Sequence, residues 1–80
     1  MTVGLQPLGR PWIVLNYAVS EPDEWTCRAI AEDIGDSPKK VGMTVRSLRQ
    51  RGFVVKGKKV GRAHALFPTP EGVEALYSAI

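Results

Sequence analysis

Apolar residues recur at helical spacing in two neighbouring stretches that are separated only by the sequence GDS. The first stretch predicts a helix over about 26–34, with apolar positions at Cys27, Ile30, Ala31 and Ile34. The second predicts a helix over about 38–51, whose buried side is formed by Val41, Val45 and Leu48. Thr26 and the pair Ser37-Pro38 suit helix starts, and Gly35 and Gly52 suit helix ends. Two helices joined by such a short glycine-containing turn are typical of a helix-turn-helix.

Apolar residues nearly encircle an earlier helix, predicted over about 11–20 between Pro11 and Pro22. One stripe consists of Trp12, Leu15 and Val19, and we expect it to lie on the core. The opposite stripe consists of Ile13, Val14 and Tyr17, and it also needs to be covered. Residues 1–9 have no clear period and are predicted to form a loose arm, so that residues 10–80 make a single domain.

After the third helix the pattern changes to short β-prone stretches. Residues 53–56 and 63–67 flank the sequence GKKVG, which predicts a two-stranded ribbon with a mobile basic tip. Thr69 and Pro70 then begin a last helix, about 70–79, with an apolar stripe at Val73, Leu76, Tyr77 and Ile80. The fold class expected from this order is mainly α with a small β-ribbon (α+β): three helices, a ribbon and a fourth helix.

The composition indicates one small globular domain. Of the 80 residues, 44% are hydrophobic and 24% are charged, which is not the balance of a disordered chain. The single cysteine, Cys27, excludes an intrachain disulfide, fits a reducing cytosol and is predicted to be a core residue. One cysteine and one histidine, His64, exclude the usual zinc-ligand sets, so neither a metal nor another cofactor is expected.

Membrane and enzyme functions are not expected either. No apolar run approaches the roughly 20 residues of a membrane span, and the N-terminal sequence MTVGLQPLGR lacks the plan of a signal peptide. The chain has no evident pair of nucleophile and base, no metal-ligand set and no phosphate-binding loop. We therefore expect a non-enzymatic protein of the cytoplasm.

The net charge of +3 hides a strong segregation along the chain. Residues 39–62 contain nine basic residues and no acidic one, whereas residues 1–38 contain six acidic residues and two basic ones. A small net charge together with one strongly basic block favours a local anionic partner over a merely solvated basic face.

Two local rules are broken at the start of the third helix. Lys39 and Lys40 lie in its first turn, where the helix macrodipole favours acids by about 0.3–1 kcal/mol each. Gly42 costs about 1 kcal/mol relative to alanine inside a helix. Such violations concentrate at functional sites, so this helix start is a candidate site.

The ordered set TCRAIAEDIG, SPKKVGMTVRSLRQRGFV and GRAHALFPTPEG resembles the winged helix-turn-helix domain of MarR-like transcription regulators. The resemblance covers about 60 of the 80 residues, from Trp25 onwards, with a weaker fit for the first helix. It implies sequence-specific binding of double-stranded DNA, with the third helix in the major groove and the basic wing, about 56–62, on the minor groove or phosphates. Phosphates would then supply the negative charge near Lys39 and Lys40, and Gly42 would allow a close approach to the duplex or to the second helix.

The residues expected to contact bases share the exposed side of the third helix, and they are Lys39, Lys40, Met43, Thr44, Arg46, Ser47 and Gln50. The residues expected on phosphates are Arg49, Arg51, Lys56, Lys58 and Lys59. Arg62 matches the family's wing arginine, which suggests insertion into the minor groove or a phosphate contact.

Three departures from the family pattern alter this picture. Val60 stands where the family often has an aspartate that steadies the wing arginine, so residues 58–62 are expected to become ordered only on DNA. Pro68 stands where leucine is usual and predicts a shorter strand end. The long terminal helices of the family's dimers have no counterpart here, so a small-molecule effector is not expected.

A homodimer of another kind is predicted from the apolar residues left over by the small core. The expected interface comprises Ile13, Val14, Tyr17, Leu76, Tyr77 and Ile80. If these residues and the arm instead close over one another within one chain, the protein is a monomer.

Two alternatives to a transcription regulator remain open at this point. One is an architectural or recombination-directing protein that bends DNA more than it reads its sequence. The other is a winged-helix module that grips an acidic protein partner. RNA binding is a lesser option because the basic block lacks the aromatic residues of a base-stacking platform.

Overall fold

The computed structural model describes residues 9–78, which form four helices and one β-hairpin. The helices are α1 (Arg10–Ser20), α2 (Cys27–Ile34), α3 (Pro38–Gln50) and α4 (Pro70–Ser78). The strands β1 (Val54–Val60) and β2 (Ala63–Pro68) pair antiparallel between α3 and α4. The order of elements confirms the predicted α+β fold. The predicted N-terminal arm, residues 1–9, lies outside the described residues except for Gly9. Ile80 also lies outside them.

The turn between α2 and α3 forms as its sequence predicts. The Thr26 hydroxyl accepts a hydrogen bond from the amide of Ala29 at 3.2 Å, and Gly35 ends α2 in the left-handed conformation with φ of 72°. At the start of α3 the Ser37 hydroxyl accepts from the amides of Lys39 and Lys40. These caps hold α2 and α3 in the helix-turn-helix arrangement.

The core lies between the helices and the base of the hairpin. The predicted stripes of α2 and α3 contribute Ile30, Ala31, Val41, Val45 and Leu48, all with at most 1% of their surface exposed. Cys27 and Ile34 pack against this cluster and are half-buried. The hairpin adds Val54 and Leu66, which are also buried.

The buried side of α1 differs from the prediction. Val14, Leu15 and Ala18 are fully buried, whereas Trp12 and Val19 are only partly buried. Because α1 contacts α3, α4 and β2, the core side of α1 is centred on Val14 and Leu15. The indole of Trp12 lies toward α4, where its Nε1 donates to the carbonyl of Leu76 at 3.2 Å.

Two residues of the predicted dimer interface belong to this core. Val14 is fully buried and Leu76 is 2% exposed within one chain. A residue with no surface cannot bury area against a second copy, so the interface prediction is wrong for Val14 and Leu76.

The hairpin is longer than predicted. β1 continues through Val60, which lies opposite Ala63, so only Gly61 and Arg62 form the turn. The expectation of a mobile tip over residues 58–62 is therefore wrong for 58–60, which are strand residues here. The strand end is not shortened either, because Pro68 lies opposite Val54.

The start of α4 is fixed against the start of the hairpin. The Thr69 hydroxyl donates to the carbonyl of Gly52 at 2.6 Å and accepts from the amide of Gly72 at 3.0 Å. A side chain at Gly72 would overlap the carbonyl oxygen of Phe53. This close approach sets the base of the hairpin against α4.

Candidate nucleic-acid interface

The outer side of α3 carries most of the residues expected to contact bases. Lys39, Lys40, Met43, Arg46, Ser47 and Gln50 are exposed. Met43 has 65% of its surface exposed although it is apolar. Thr44 is half-buried, and its hydroxyl donates to the carbonyl of Lys40 at 3.1 Å, so the helix itself already uses this donor.

Several cations of this surface are not neutralised by the chain itself. Within residues 9–78, no carboxylate forms an ion pair with Lys39, Lys40, Arg46 or Lys59. The carboxylate nearest the start of α3 is Asp36, which is bound elsewhere. Its Oδ1 accepts from the amide of Ser37 at 2.7 Å and its Oδ2 pairs with Arg10 at 2.7 Å.

These contacts stabilise the charged form of Asp36. The hydrogen bond from the amide of Ser37 holds the pKa of the Asp36 carboxyl below its ordinary value, and the hydrogen bond from Arg10 acts in the same direction. Asp36 therefore fixes the turn before α3 and joins it to the start of α1.

Gly42 lies in open space on α3. A Cβ atom built on it would meet no atom within 4 Å, so close packing against α2 does not explain the glycine. The other interpretation, a close approach of the α3 backbone to a duplex, stays a prediction.

A groove of about 480 Å³ runs beside α3 and ends at the first residues of α1. Its lining includes Lys40, Met43, Thr44 and Ser47, together with Arg10 and Pro11. Arg10 is not among the site residues predicted from the sequence. The only available signal was an isolated arginine before a helix in an otherwise acidic half of the chain.

The basic residues of the hairpin are exposed, but they differ in their surroundings. Lys56 and Lys59 lie on one face of the hairpin, as its pairing dictates. Lys58 pairs with Glu24 at 3.8 Å, and both side chains are about 60% exposed. The guanidinium of Arg51 lies 5.0 Å from the centre of the Phe53 ring, at the base of the hairpin.

Arg49 and Arg62 are exposed, and both lie near α2. Arg49 is close to Cys27, whose thiol pKa is raised by burial and is lowered to a lesser degree by this arginine. A raised thiol pKa disfavours a reactive cysteine. Arg62 lines an open cleft of about 630 Å³ between the turn of the hairpin and α2. Arg28, which is not among the predicted site residues, is a second cation in this cleft.

The other described residues of the predicted dimer interface are half-buried or exposed. Tyr17 is half-buried, its hydroxyl donates to Asp33, and its ring lies edge-on to Trp25 with centroids 4.6 Å apart. The hydrogen bond to Asp33 is the main cause of the raised pKa of Tyr17. Ile13 is half-buried, and Tyr77 is 64% exposed.

No metal or membrane site was found in the part of the chain that the structure describes. Residues 9–78 contain no group of three histidine, cysteine or acidic side chains placed to hold a metal ion. None of the helices in that range has the length and apolar character needed to cross a membrane.

Comparison with solved structures identifies the fold. The chain is 27% identical to a MarR-family transcriptional regulator from Rhodococcus sp. RHA1, with a TM-score of 0.79 over 88% of this chain and 50% of that one. It is 28% identical to the PcaV transcriptional regulator from Streptomyces coelicolor, whose structure is in complex with its natural ligand. The TM-score is 0.77 over 86% of this chain and 50% of that one. Four helices and a two-stranded hairpin in this order are the winged-helix fold of these regulators.

A third solved structure has the same fold at lower identity. A mutant of MepR from Staphylococcus aureus, bound to an oligodeoxyribonucleotide, is 16% identical, with a TM-score of 0.78 over 89% of this chain and 54% of that one. The chain therefore spans about half the length of the structures it matches. The ligand in the PcaV structure weighs against our expectation that no small-molecule effector is involved. No protein-family model and no curated protein sequence matches the chain.

Proposed function

We propose that this chain, a MarR-like winged helix-turn-helix domain, binds double-stranded DNA as the sequence-reading module of a transcriptional regulator. α3 enters the major groove, and the hairpin contacts the adjacent minor groove or its phosphates. The observation that carries the proposal is the basic block at 39–62, which contains nine cations and no acid and forms the exposed sides of α3 and the hairpin.

The chemistry of α3 suits base contacts as well as phosphate contacts. Met43 is an exposed apolar side chain among cations, and it can contact the methyl group of thymine. Ser47 and Gln50 offer donors and acceptors for base edges, and Lys39 and Lys40 can reach guanine or phosphate. The exposed side of α3 combines cations with side chains that suit base edges, so DNA is favoured over an acidic protein as the partner.

A salt titration of duplex binding tests the proposal. The affinity for duplex DNA should fall steeply with salt, because each phosphate contact contributes about 0.9 to the slope of log affinity against log salt. With about 4–6 contacts per protomer we expect a slope near −4 to −5. A nearly flat slope, or no binding at low salt, would contradict DNA binding.

Selection from random duplexes then separates sequence reading from DNA bending. Enrichment of one sequence is the expected result, and an enriched palindrome would also give the spacing of two α3 helices. Salt-dependent binding without enrichment would favour an architectural protein. In a separate direct competition, tighter binding of structured RNA than of duplex DNA would overturn the proposed target.

A further inference from the structure

A β-bulge interrupts the hairpin halfway along its length. Lys56 lies opposite Leu66, but the next pair is Lys59 opposite His64. Two residues of β1, Gly57 and Lys58, therefore stand against one residue of β2, Ala65.

The bulge decides on which face of the hairpin the lysines lie. Cross-strand partners share a face, and so do residues two apart along a regular strand. His64 and Leu66 are two apart on β2, so their partners Lys59 and Lys56 lie on the same face. In a regular strand Lys59, three residues after Lys56, would lie on the opposite face.

A side chain from outside the hairpin occupies the bulge. Oδ1 of Asp23, in the segment between α1 and α2, accepts a hydrogen bond from the amide of Lys58 at 2.7 Å. The amide of Asp23 donates to the carbonyl of Leu66 at 3.0 Å, so the same residue holds both strands. Asp23 thus supplies an acceptor for an amide of the bulge itself.

Two features of the backbone fit this role. Among residues 9–78, Asp23 is the only residue besides glycine with a positive φ, 68°, a conformation that aspartate and asparagine tolerate better than other side chains. Gly57 leaves the space that the carboxylate fills, because a Cβ there would overlap Oδ1 of Asp23 and approach the carbonyl of Ala65 to 3.0 Å.

We propose that Asp23 is a positioning residue for DNA binding: it holds the bulge at Gly57 and Lys58 and thereby keeps Lys56 and Lys59 on one face of the hairpin, toward the phosphates. The inference rests on the proposed DNA binding. It assigns to an acidic residue a favourable effect on the binding of a polyanion. Simple charge repulsion gives the opposite sign, which makes the two accounts separable.

Four variants on one duplex test the proposal. Asp23→Gly keeps the positive φ but removes the acceptor. Asp23→Asn removes the same charge but keeps the acceptor and tolerates the same φ. Glu24→Gln is the matched control, since Glu24 is the neighbouring acid that pairs only with the Lys58 ammonium. Gly57→Ala displaces the carboxylate from the other side.

Without the bulge, residues two apart along β1 share a face, so Lys58 takes the place of Lys59 beside Lys56. Lys58 is the lysine already paired with Glu24, so we expect the loss of about one phosphate contact. Asp23→Gly and Gly57→Ala should bind about five- to tenfold more weakly at ~0.1 M salt, with a salt slope shallower by about one unit. Asp23→Asn and Glu24→Gln should bind as tightly as the wild type or more tightly. If Asp23→Gly also binds as tightly or more tightly, Asp23 acts only as a negative charge and the proposal is overturned.

A structural measurement keeps this test separate from the test of DNA binding. In the free protein, nuclear Overhauser contacts between Lys59 and His64 report the register of the hairpin. Their loss in Asp23→Gly, with the core contacts and the thermal unfolding transition retained, supports the positioning role. Their persistence overturns it, whether or not the wild type binds DNA.

Discussion

Gly42 leaves the backbone of α3 without a side chain at a position where there is room for one. Gly42→Ala should raise the free energy of unfolding by up to about 1 kcal/mol, because alanine is the better helix former and the added Cβ meets no atom within 4 Å. If DNA approaches the backbone here, the same variant should bind DNA more weakly. Urea unfolding and duplex titration measure the two effects, and a more stable variant with unchanged affinity would show that DNA does not approach Gly42.

Asp36 should make the stability of the fold depend on pH. Its pKa is lowered in the folded protein, so its contribution to stability is present above its unfolded pKa, about 3.9, and is lost as the pH falls through the lower folded pKa. Asp36→Asn should therefore be less stable than the wild type at neutral pH, since the pair with Arg10 is lost. The difference should shrink as the pH falls below the unfolded pKa. Urea unfolding across that range checks this, and a difference that does not change with pH would contradict it.

The local roles of single residues were predictable only where the partner is close in sequence. Thr26, Ser37 and Gly35 follow capping rules that involve neighbours within one turn, and all three behave as expected. The need for glycine at position 72 was not predictable, because the tertiary fold brings the carbonyl of Phe53 close to it.

At the scale of elements, α3 and the hairpin should differ in what their substitutions change. Ser47→Ala or Met43→Ala should alter which sequence binds best, at about 1–3 kcal/mol for a lost base contact. Lys59→Ala should weaken all sequences alike and flatten the salt slope by about one unit. Binding of each variant to a selected and a scrambled duplex decides the matter. Equal weakening on both duplexes by the α3 variants would show that α3 does not read the sequence.

Lys58 provides the internal comparison for Lys59. Its ammonium lies 3.8 Å from Glu24, so part of its charge is already balanced in the free protein. Lys58→Ala should therefore reduce the salt slope less than Lys59→Ala does. A larger effect at Lys58 would mean that Glu24 releases it on binding.

The elements themselves were predictable to different degrees. The helices carry apolar residues at helical spacing, and their ends match to within a residue or two. The far half of β1 was missed, since Gly57, Lys58 and Lys59 have weak β propensity. Those residues pair with β2, and the amide of Lys58 donates to Asp23, 35 positions earlier in the chain. Such a long-range contact leaves no local pattern.

At the scale of the whole molecule, α1 has apolar residues on two sides, and only one side can face the core. Both stripes are apolar, so periodicity alone could not decide which one faces the core. The structure places Val14 and Leu15 inside and leaves Trp12 at the edge, bonded to the carbonyl of Leu76. Much of the apolar surface that suggested a dimer is thereby covered within one chain.

The homodimer nevertheless stays a prediction, and Tyr77 is now its most direct test. This side chain is 64% exposed at the end of α4, whereas Val14 and Leu76 are core residues. A two-fold pair would set two α3 helices about one DNA turn apart, as a palindromic site requires. Sedimentation at micromolar concentration should give twice the 8.8 kDa of one chain.

Tyr77→Glu should shift that mass toward the single chain without loss of folding, because the residue contributes little to the core. Val55→Glu is the matched control, since Val55 is 45% exposed on the hairpin and lies outside the predicted interface. We expect it to leave the mass unchanged. A wild-type species of 8.8 kDa, or a dimer that Tyr77→Glu and Val55→Glu affect equally, would rule out an interface centred on α4.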